Sequence, residues 1–405
     1  MPKNKKDNIV LNPDKIRKVD LIVGIPSFNE ADNISFVTEQ VDKGLTKYFP
    51  KQKSVIINID NDSPDGTREQ FLKTKTRNPK IYISTPPGIR GKGNNFFNLF
   101  DYVEKLNSQA VAVVDADLES ITPEWIYNLL TPILEGYDYA TPYYARSEYD
   151  GSITNHICYP LLSGLYGYNV RQPIGGDFSF SNNLAKHWLK QKWHKTTKKY
   201  GIDIFMTMNA VQGGFKIAQV GLGAKIHKPS APKLGPMFSQ VVNTLFKNII
   251  ANKENWIHLE KKKEVHYFGE QELDKPQTVG VDYKGMKATS IFDFNTNEDI
   301  LSRALSGNVF NKLKKMYKKG DIKINDELWC QIVYDAIFAY NRTDMNNGLI
   351  EALKPLYFGR FVSFYKSTFE EPFEVCEKKI IKQASVFWKN RDYLINKYKK
   401  VKSKK

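Results

Sequence analysis

The sequence predicts an α/β protein: a Rossmann-like, mainly parallel sheet followed by a C-terminal helical region. Three observations predict it. Short apolar runs alternate with amphipathic stretches from Val19 to about Gly221, the pattern of successive βαβ units. The run Val111 to Val114 is unbroken and apolar, as in a strand covered on both faces. Beyond Met237, apolar residues recur every three or four positions, the stripe of helices packed on a core.

The elements follow in order. "VDLIVGI" from Val19 is the first strand, and a helix is expected from Asn33 to about Thr46. "SVIINID", "KIYIST" and "AVAVVD" are the next three strands. Thr122-Pro123 opens the helix after the fourth, with a hydroxyl at the N-cap and proline at the first helical position. "PSAPKLGP", Pro229 to Pro236, reads as a hinge. The segments "MFSQVVNTLFKNIIANKENWIHLEKK", "DELWCQIVYDAIFAYN" and "NGLIEALKPLYFGRFVSFYKS" read as helices. The expected organisation is a basic N-terminal tail over 1–18, a nucleotide-binding domain over 19–237 and a mainly helical accessory region over 238–405.

The 405 residues suffice for a large core and two domains. The net charge of +16 favours anionic partners such as nucleotides and phosphates. Part of it lies in the ends, "MPKNKK" and "NKYKKVKSKK", which read as solvated. No arginine-aromatic interleaving suggests a nucleic-acid partner. Three scattered cysteines, Cys158, Cys330 and Cys376, argue against a disulfide framework or a cysteine zinc site. The opening residues lack the apolar core of a signal peptide. No apolar run approaches the roughly 18 residues of a spanning helix. The expected compartment is the cytoplasm.

The chemistry gathers at strand ends. Strand one runs into "PSFNEADN", which is not the glycine fingerprint of a dinucleotide site. Strand two runs into "NDSPDGT", with Asp60, Asn61, Asp62 and Asp65. After strand three comes "TPPGIRGKGNNF": Gly88, Gly91 and Gly93 permit close backbone approach, and Arg90 and Lys92 supply positive charge. Strand four ends on Asp115-Ala116-Asp117. An Asp-x-Asp alone is often a solvated strand end. At the carboxyl edge of a parallel sheet, two hard oxygen donors suit a divalent cation and a phosphate-bearing ligand. Four polar strand ends, one of them basic, point together to a nucleoside diphosphate.

"IPSFNEADNI", "DNDSPDGT", "RGKGNN" and "DADL", in this order, resemble a GT-A fold nucleotide-sugar glycosyltransferase. "GSITNHICYPLL", "RQPIGGDFSFS", "YGIDIFMTMNAVQ" and "GAKIHK" narrow the resemblance to the glucosyl-3-phosphoglycerate and mannosylglycerate synthases. It runs from about Val19 to Ile250. The resemblance implies that Pro26, Ser27, Glu30, Asp62, Asp115 and Ala116 surround the donor's base and ribose, and that Lys92 meets its diphosphate. It implies Mg²⁺ or Mn²⁺ held by Asp115, Asp117 and His227, and it places Asp177 and Asp203 beside the transferred sugar. Arg146, Gly151 and Thr154 would form the acceptor loop. There is one departure: phosphoglycerate-using relatives carry a Gly-Arg pair where this chain has Gly151-Ser152. Arg146, His156 or Lys228 would have to replace that arginine.

The implied function is retaining, metal-dependent transfer of a hexose from a UDP- or GDP-sugar to glycerate or 3-phosphoglycerate, a small hydroxy-acid acceptor. A homo-oligomer is left open. The rivals are an inverting transferase with a polyprenyl phosphate or saccharide acceptor, and a non-catalytic sugar-nucleotide sensor. A nucleotidyltransferase is disfavoured, because no Gly-rich run with arginine opens the first strand.

Overall fold

The central apolar runs of this chain become buried strands, and with their neighbours they build one sheet. The structure is a computed structural model that describes residues 8–228, 234–269, 279–342 and 348–402. The strands are β1 (Ile9–Leu11), β2 (Leu21–Ser27), β3 (Ser54–Asp60), β4 (Lys80–Ser84), β5 (Ala110–Val113), β6 (Tyr139–Ala145), β7 (Phe178–Ser181), β8 (Ile217–Ala224) and β9 (His266–Phe268). Their order is β1-β4-β3-β2-β5-β7-β6-β8-β9. Pairing is parallel among β4, β3, β2 and β5 and along β6, β8 and β9; it is antiparallel where β1 meets β4 and where β7 meets β5 and β6. The mainly parallel sheet is the expected class.

Every residue of β2 and β3 is buried, as a strand covered on both faces requires. On one face Leu21, Val23 and Ile25 share a core with Val37, Val41 and Leu45 of the helix Ile34–Tyr48. The opposite face carries Gly24, where an added Cβ would sit 2.7 Å from Leu99 of the helix Lys92–Leu106. The chain passes β2, β3 and β4 in one direction and then returns to lay β5 on the other side of β2. Open α/β sheets bind their ligands at such a reversal, here at the carboxyl ends of β2 and β5.

Two compact units divide the chain. The first holds the described residues of Met1–Ala145, Gln172–Pro232 and Val265–Gln277, including the whole sheet. The second holds those of Arg146–Arg171, Lys233–Glu264 and Thr278–Lys405 and is helical. Its long helices include Leu234–Ala251, Asp326–Tyr340, Leu349–Thr368 and Phe373–Lys389. Buried Arg360 ties three of its segments, donating to Gln383 Oε1 (2.8 Å), the Ile324 carbonyl (2.7 Å) and Asp326.

Some expectations shift. Ile9–Leu11, within the stretch read as a basic tail, pairs with β4. The closing "NKYKKVKSKK" continues as helix to Lys402 because Tyr398 is 7% exposed and anchors it. Residues 229–233 of the expected hinge, the first seven residues and the last three lie outside the described residues.

Candidate active site

The polar strand ends meet in the first unit. Asn33, which precedes the first helix, donates from Nδ2 to the carbonyls of Ala116 and Leu118, both at 2.9 Å. This fixes the Asp115-Ala116-Asp117 loop against the end of β2. From the other side, Leu118 pairs with His227, and Glu119 N–H donates to the Ile226 carbonyl (2.9 Å). His227 is thereby delivered next to Asp117.

A charge cluster lies at the loop, with Asp177, Asp203 and Lys225 buried and Lys92 and Asp115 half-buried. Lys92 Nζ is 3.0 Å from Asp115 Oδ1 and 3.6 Å from Asp203 Oδ2. Lys225 Nζ is 3.3 Å from Asp115 Oδ2, 2.7 Å from Asp177 Oδ2 and 2.9 Å from the Gly175 carbonyl. Asp177 Oδ1 accepts from Asp115 N–H at 2.7 Å, and Tyr144 donates its hydroxyl to Asp177 Oδ2. Asp177 is fully buried, whereas Asp203 Oδ1 is buried without a hydrogen-bond partner among the described residues. Burial works against the charge on Asp115, but Lys92 and Lys225 outweigh it and hold its carboxyl below the usual range. Burial also opposes the charge on Lys92, and Asp115 and Asp203 more than restore it. Asp203 titrates above an ordinary aspartate, chiefly through burial. Asp117 does too, through burial and the charge of Asp115.

The glycines act differently from expectation. Gly88 has φ +82° and open space around it, as a turn requires. At Gly91 and Gly93, added Cβ atoms would sit 2.4 Å from the Lys198 carbonyl oxygen and 2.0 Å from that of Thr197. The close approach is therefore to the chain's own 197–199 segment. Gly93 N–H donates to Lys199 O (3.1 Å) and Asn94 N–H to Lys198 O (3.2 Å). That contact sets Lys92, first residue of its helix, beside Asp203 in the first turn of the helix Ile202–Gln212.

The other expected donor residues lie at the end of β2 and in the segments that follow β2 and β3. Pro26 and Ser27 close β2, and Ser27 donates its hydroxyl to Asp60 Oδ1 (2.8 Å). Asp60 also accepts from Ser63 and Tyr82, so this fully buried carboxylate is saturated internally. Asp62 is half-buried with φ +57°, its N–H on Ser84 Oγ (3.1 Å). Glu30 takes Lys228 Nζ at 2.6 Å, and Asp32 takes it at 2.8 Å. Burial raises the Glu30 carboxyl above its ordinary value despite that bond.

Arg146, Gly151 and Thr154 belong to the second unit. Arg146 Nε pairs with Asp150 Oδ2 at 2.5 Å. Gly151 has φ +64° with the Arg146 guanidinium 3.2 Å from its Cβ direction. Thr154 is buried at the start of the helical turn Thr154–Cys158. Of the stand-ins for the missing arginine, His156 is fully buried and Lys228 is engaged by Glu30 and Asp32.

Among the described residues, no three His, Cys, Asp or Glu side chains stand ready as a metal cage. Both oxygens of Asp115 are on lysines. Asp117 and His227 nevertheless fit a cation that arrives with phosphate oxygens, as Mg²⁺ commonly does. His227 Nδ1 lies 2.8 Å from the Lys228 carbonyl, which can only accept. The neutral ring therefore carries its proton on Nδ1 and keeps its lone pair on Nε2, the tautomer a metal-binding histidine uses. Asp117 has the chemistry of a carboxylate awaiting a counter-charge, since burial and Asp115 both disfavour its ionisation.

Sequence reasoning missed Lys225, Tyr144 and the clamp of Asn33. Lys225 stands two residues before His227, inside a quoted motif. Its burial depends on β6 and β8 pairing, which no local pattern announces.

Residues 22–189 match Glycosyl transferase family 2. Glucosyl-3-phosphoglycerate synthase of Petrotoga mobilis is 24% identical over 247 residues, 55% of this chain and 70% of that protein. Mannosylglycerate synthase of Rhodothermus marinus is 26% identical over 132 residues, 31% of this chain and 33% of its own length. Among solved structures, glucosyl-3-phosphoglycerate synthase from Mycobacterium tuberculosis in complex with Mn²⁺, UDP and phosphoglyceric acid aligns with TM-score 0.46 and 24% identity, over 57% of this chain and 78% of that one.

Proposed function

We propose that this chain, which carries a family 2 glycosyltransferase domain over residues 22–189, transfers a hexose from a nucleoside-diphosphate sugar to glycerate or 3-phosphoglycerate with retention of anomeric configuration. The observation that carries the reading is Lys92 held between Asp115 and Asp203 beside Asp117. The sugar-nucleotide bond breaks as negative charge builds on the diphosphate. An ammonium fixed there before reaction stabilises that charge without reorganising. Asp117 and His227 would hold Mg²⁺ or Mn²⁺, which when bound supplies Lewis-acid stabilisation of the same leaving group.

Asp203 Oδ1 has no hydrogen-bond partner among the described residues and is placed to accept from a sugar hydroxyl. Asp177 is fully buried with both oxygens spent, so it offers no nucleophile. The acceptor hydroxyl then attacks from the leaving-group face, and its proton passes to a departing phosphate oxygen. Lys92 keeps that diphosphate in place, so proximity and charge stabilisation supply the rate. On the acceptor side, Arg146, Gly151 and Thr154 are proposed from the sequence resemblance. Ser152, where phosphoglycerate-using relatives carry arginine, is 4% exposed and bonded to Tyr357. This favours the unphosphorylated acid.

A matrix of UDP-, GDP- and ADP-hexoses against glycerate and 3-phosphoglycerate, read by mass spectrometry, tests the reading. Hexosyl glycerate is the expected product, and no turnover with any pair would reject it. Asp117→Ala should lower turnover by at least about 10²-fold, the scale of a lost electrostatic stabiliser. Full activity in excess chelator would remove the cation. The unpartnered oxygen of Asp203 also favours a second reading, in which it is the base of an inverting transfer. Proton NMR of the first product separates them: an α-linked product from an α-donor is expected, and a β-linked one selects the base.

A further inference from the structure

Two lysines face Asp115, and the structure treats them differently. Lys225 is 8% exposed and follows β8 directly. An ammonium has three N–H donors. Those of Lys225 are matched by Gly175 O (2.9 Å), Asp177 Oδ2 (2.7 Å) and Asp115 Oδ2 (3.3 Å). The Tyr144 ring packs 5.0 Å from the same nitrogen. Among the described residues Lys92 makes one hydrogen bond, to Asp115 at 3.0 Å, and its second carboxylate is 3.6 Å away.

Asp177 is as closed as Lys225. One oxygen takes the Asp115 N–H, and the other takes Lys225 and the Tyr144 hydroxyl. The strand pairing produces this arrangement. The register of β6 against β8 shifts between Tyr143 and Ala145, and such irregularities re-aim side chains. Gly176, with φ +95°, completes it: an added Cβ would sit 2.2 Å from Asp115 Oδ2 and 3.0 Å from Lys225 Nζ. No side chain other than glycine's fits beside this packing.

We propose that Lys225 is a positioning residue: it is the internal counter-ion of Asp177, and together with Tyr144 the pair braces Asp115 so that Lys92 alone presents its ammonium to the donor. Asp177 thereby moves from a sugar contact to a member of the brace. The functional consequence rests on the donor reading above; the brace itself does not.

Removing Lys225 leaves the Asp177 carboxylate buried and unpaired beside the diphosphate position. Such a loss destabilises the fold, and the residual charge repels an anionic ligand. Removing both charges cures both defects. The test is a double-mutant cycle on the full chain with Lys225→Met, Asp177→Asn and the pair combined. UDP, GDP and ADP binding with Mg²⁺ is measured by calorimetry, and thermal melting alongside. Lys225→Met should weaken nucleotide binding by about tenfold or more, a change of about 1.4 kcal/mol, and lower the melting temperature. The double variant should return to within about threefold of native binding and melt above Lys225→Met. If Lys225→Met does not fold, folding of the double variant is the same rescue. A double variant that binds as weakly as Lys225→Met, or whose melting loss is the sum of the two single losses, or that does not fold, overturns the proposal. Native protein that binds neither UDP nor GDP, and not ADP either, rejects the donor reading instead, and the melting cycle alone then decides the brace.

Discussion

His156 carries no charge where it sits. Its ring is fully buried, and burial, aided by the positive charge of Arg360, pushes its pKa well below that of a free imidazole. The unfolded chain takes up a proton at this residue near pH 6.5 and the folded chain does not. Unfolding therefore binds protons, and stability falls as pH drops below about 6.5, by up to about 1.4 kcal/mol per pH unit. His156→Gln should remove that contribution. Between about pH 7.5 and about pH 5.5, its melting temperature should fall less than that of the native chain. An equal fall would mean that His156 titrates normally. Lys92 makes the opposite case, a half-buried cation kept charged by Asp115 and Asp203. Lys92→Met should raise the Michaelis constant for the sugar nucleotide more than that for the acceptor. A rise confined to the acceptor would reassign it.

Elements carry the precision that single residues lack. The glycine-rich loop holds Lys92 by pressing against residues 197–199, so Gly93→Ala should act at a distance. Its Cβ would collide with the Thr197 carbonyl, where only backbone can give way. We expect turnover to fall at least about tenfold, with a lower melting temperature, as overpacking of a tight contact costs about 1–3 kcal/mol. Wild-type turnover in Gly93→Ala would show that the loop does not position Lys92. This division also explains what the sequence disclosed. β2 to β5 were legible because each is a compact apolar run ending in polar residues. Asp115, Asp117 and Lys92 were legible because strand ends in a parallel sheet are functional positions. β6 was hidden by Pro142 in "YATPYYA", tolerated because β7 pairs with β6 only at Tyr139 and Ala140. The four-residue β7 gave too short a pattern to read. Lys225 and Tyr144 were illegible for the same reason, since they become neighbours only when β6 and β8 pair.

At the scale of the whole molecule, charge and chain path matter most. The net charge of +16 should draw an anionic sugar nucleotide toward the protein. Raising salt from about 0.05 M to about 0.5 M shortens electrostatic range severalfold. The donor Michaelis constant should rise with it while turnover at saturating donor holds. A salt-independent constant would confine the useful charge to Lys92 and its immediate neighbours. The chain path has a separate consequence, felt during synthesis. β8 ends at Ala224, but its partner β9 begins only at His266. The ribosome must therefore extend the chain by roughly 40 residues, at about 5–20 residues per second, before that edge is covered. Throughout that interval the nascent sheet offers an unpaired strand, the surface on which half-made chains associate. Its yield in a cell thus depends on elongation speed through this interval and on whatever shields the edge until Phe268 emerges.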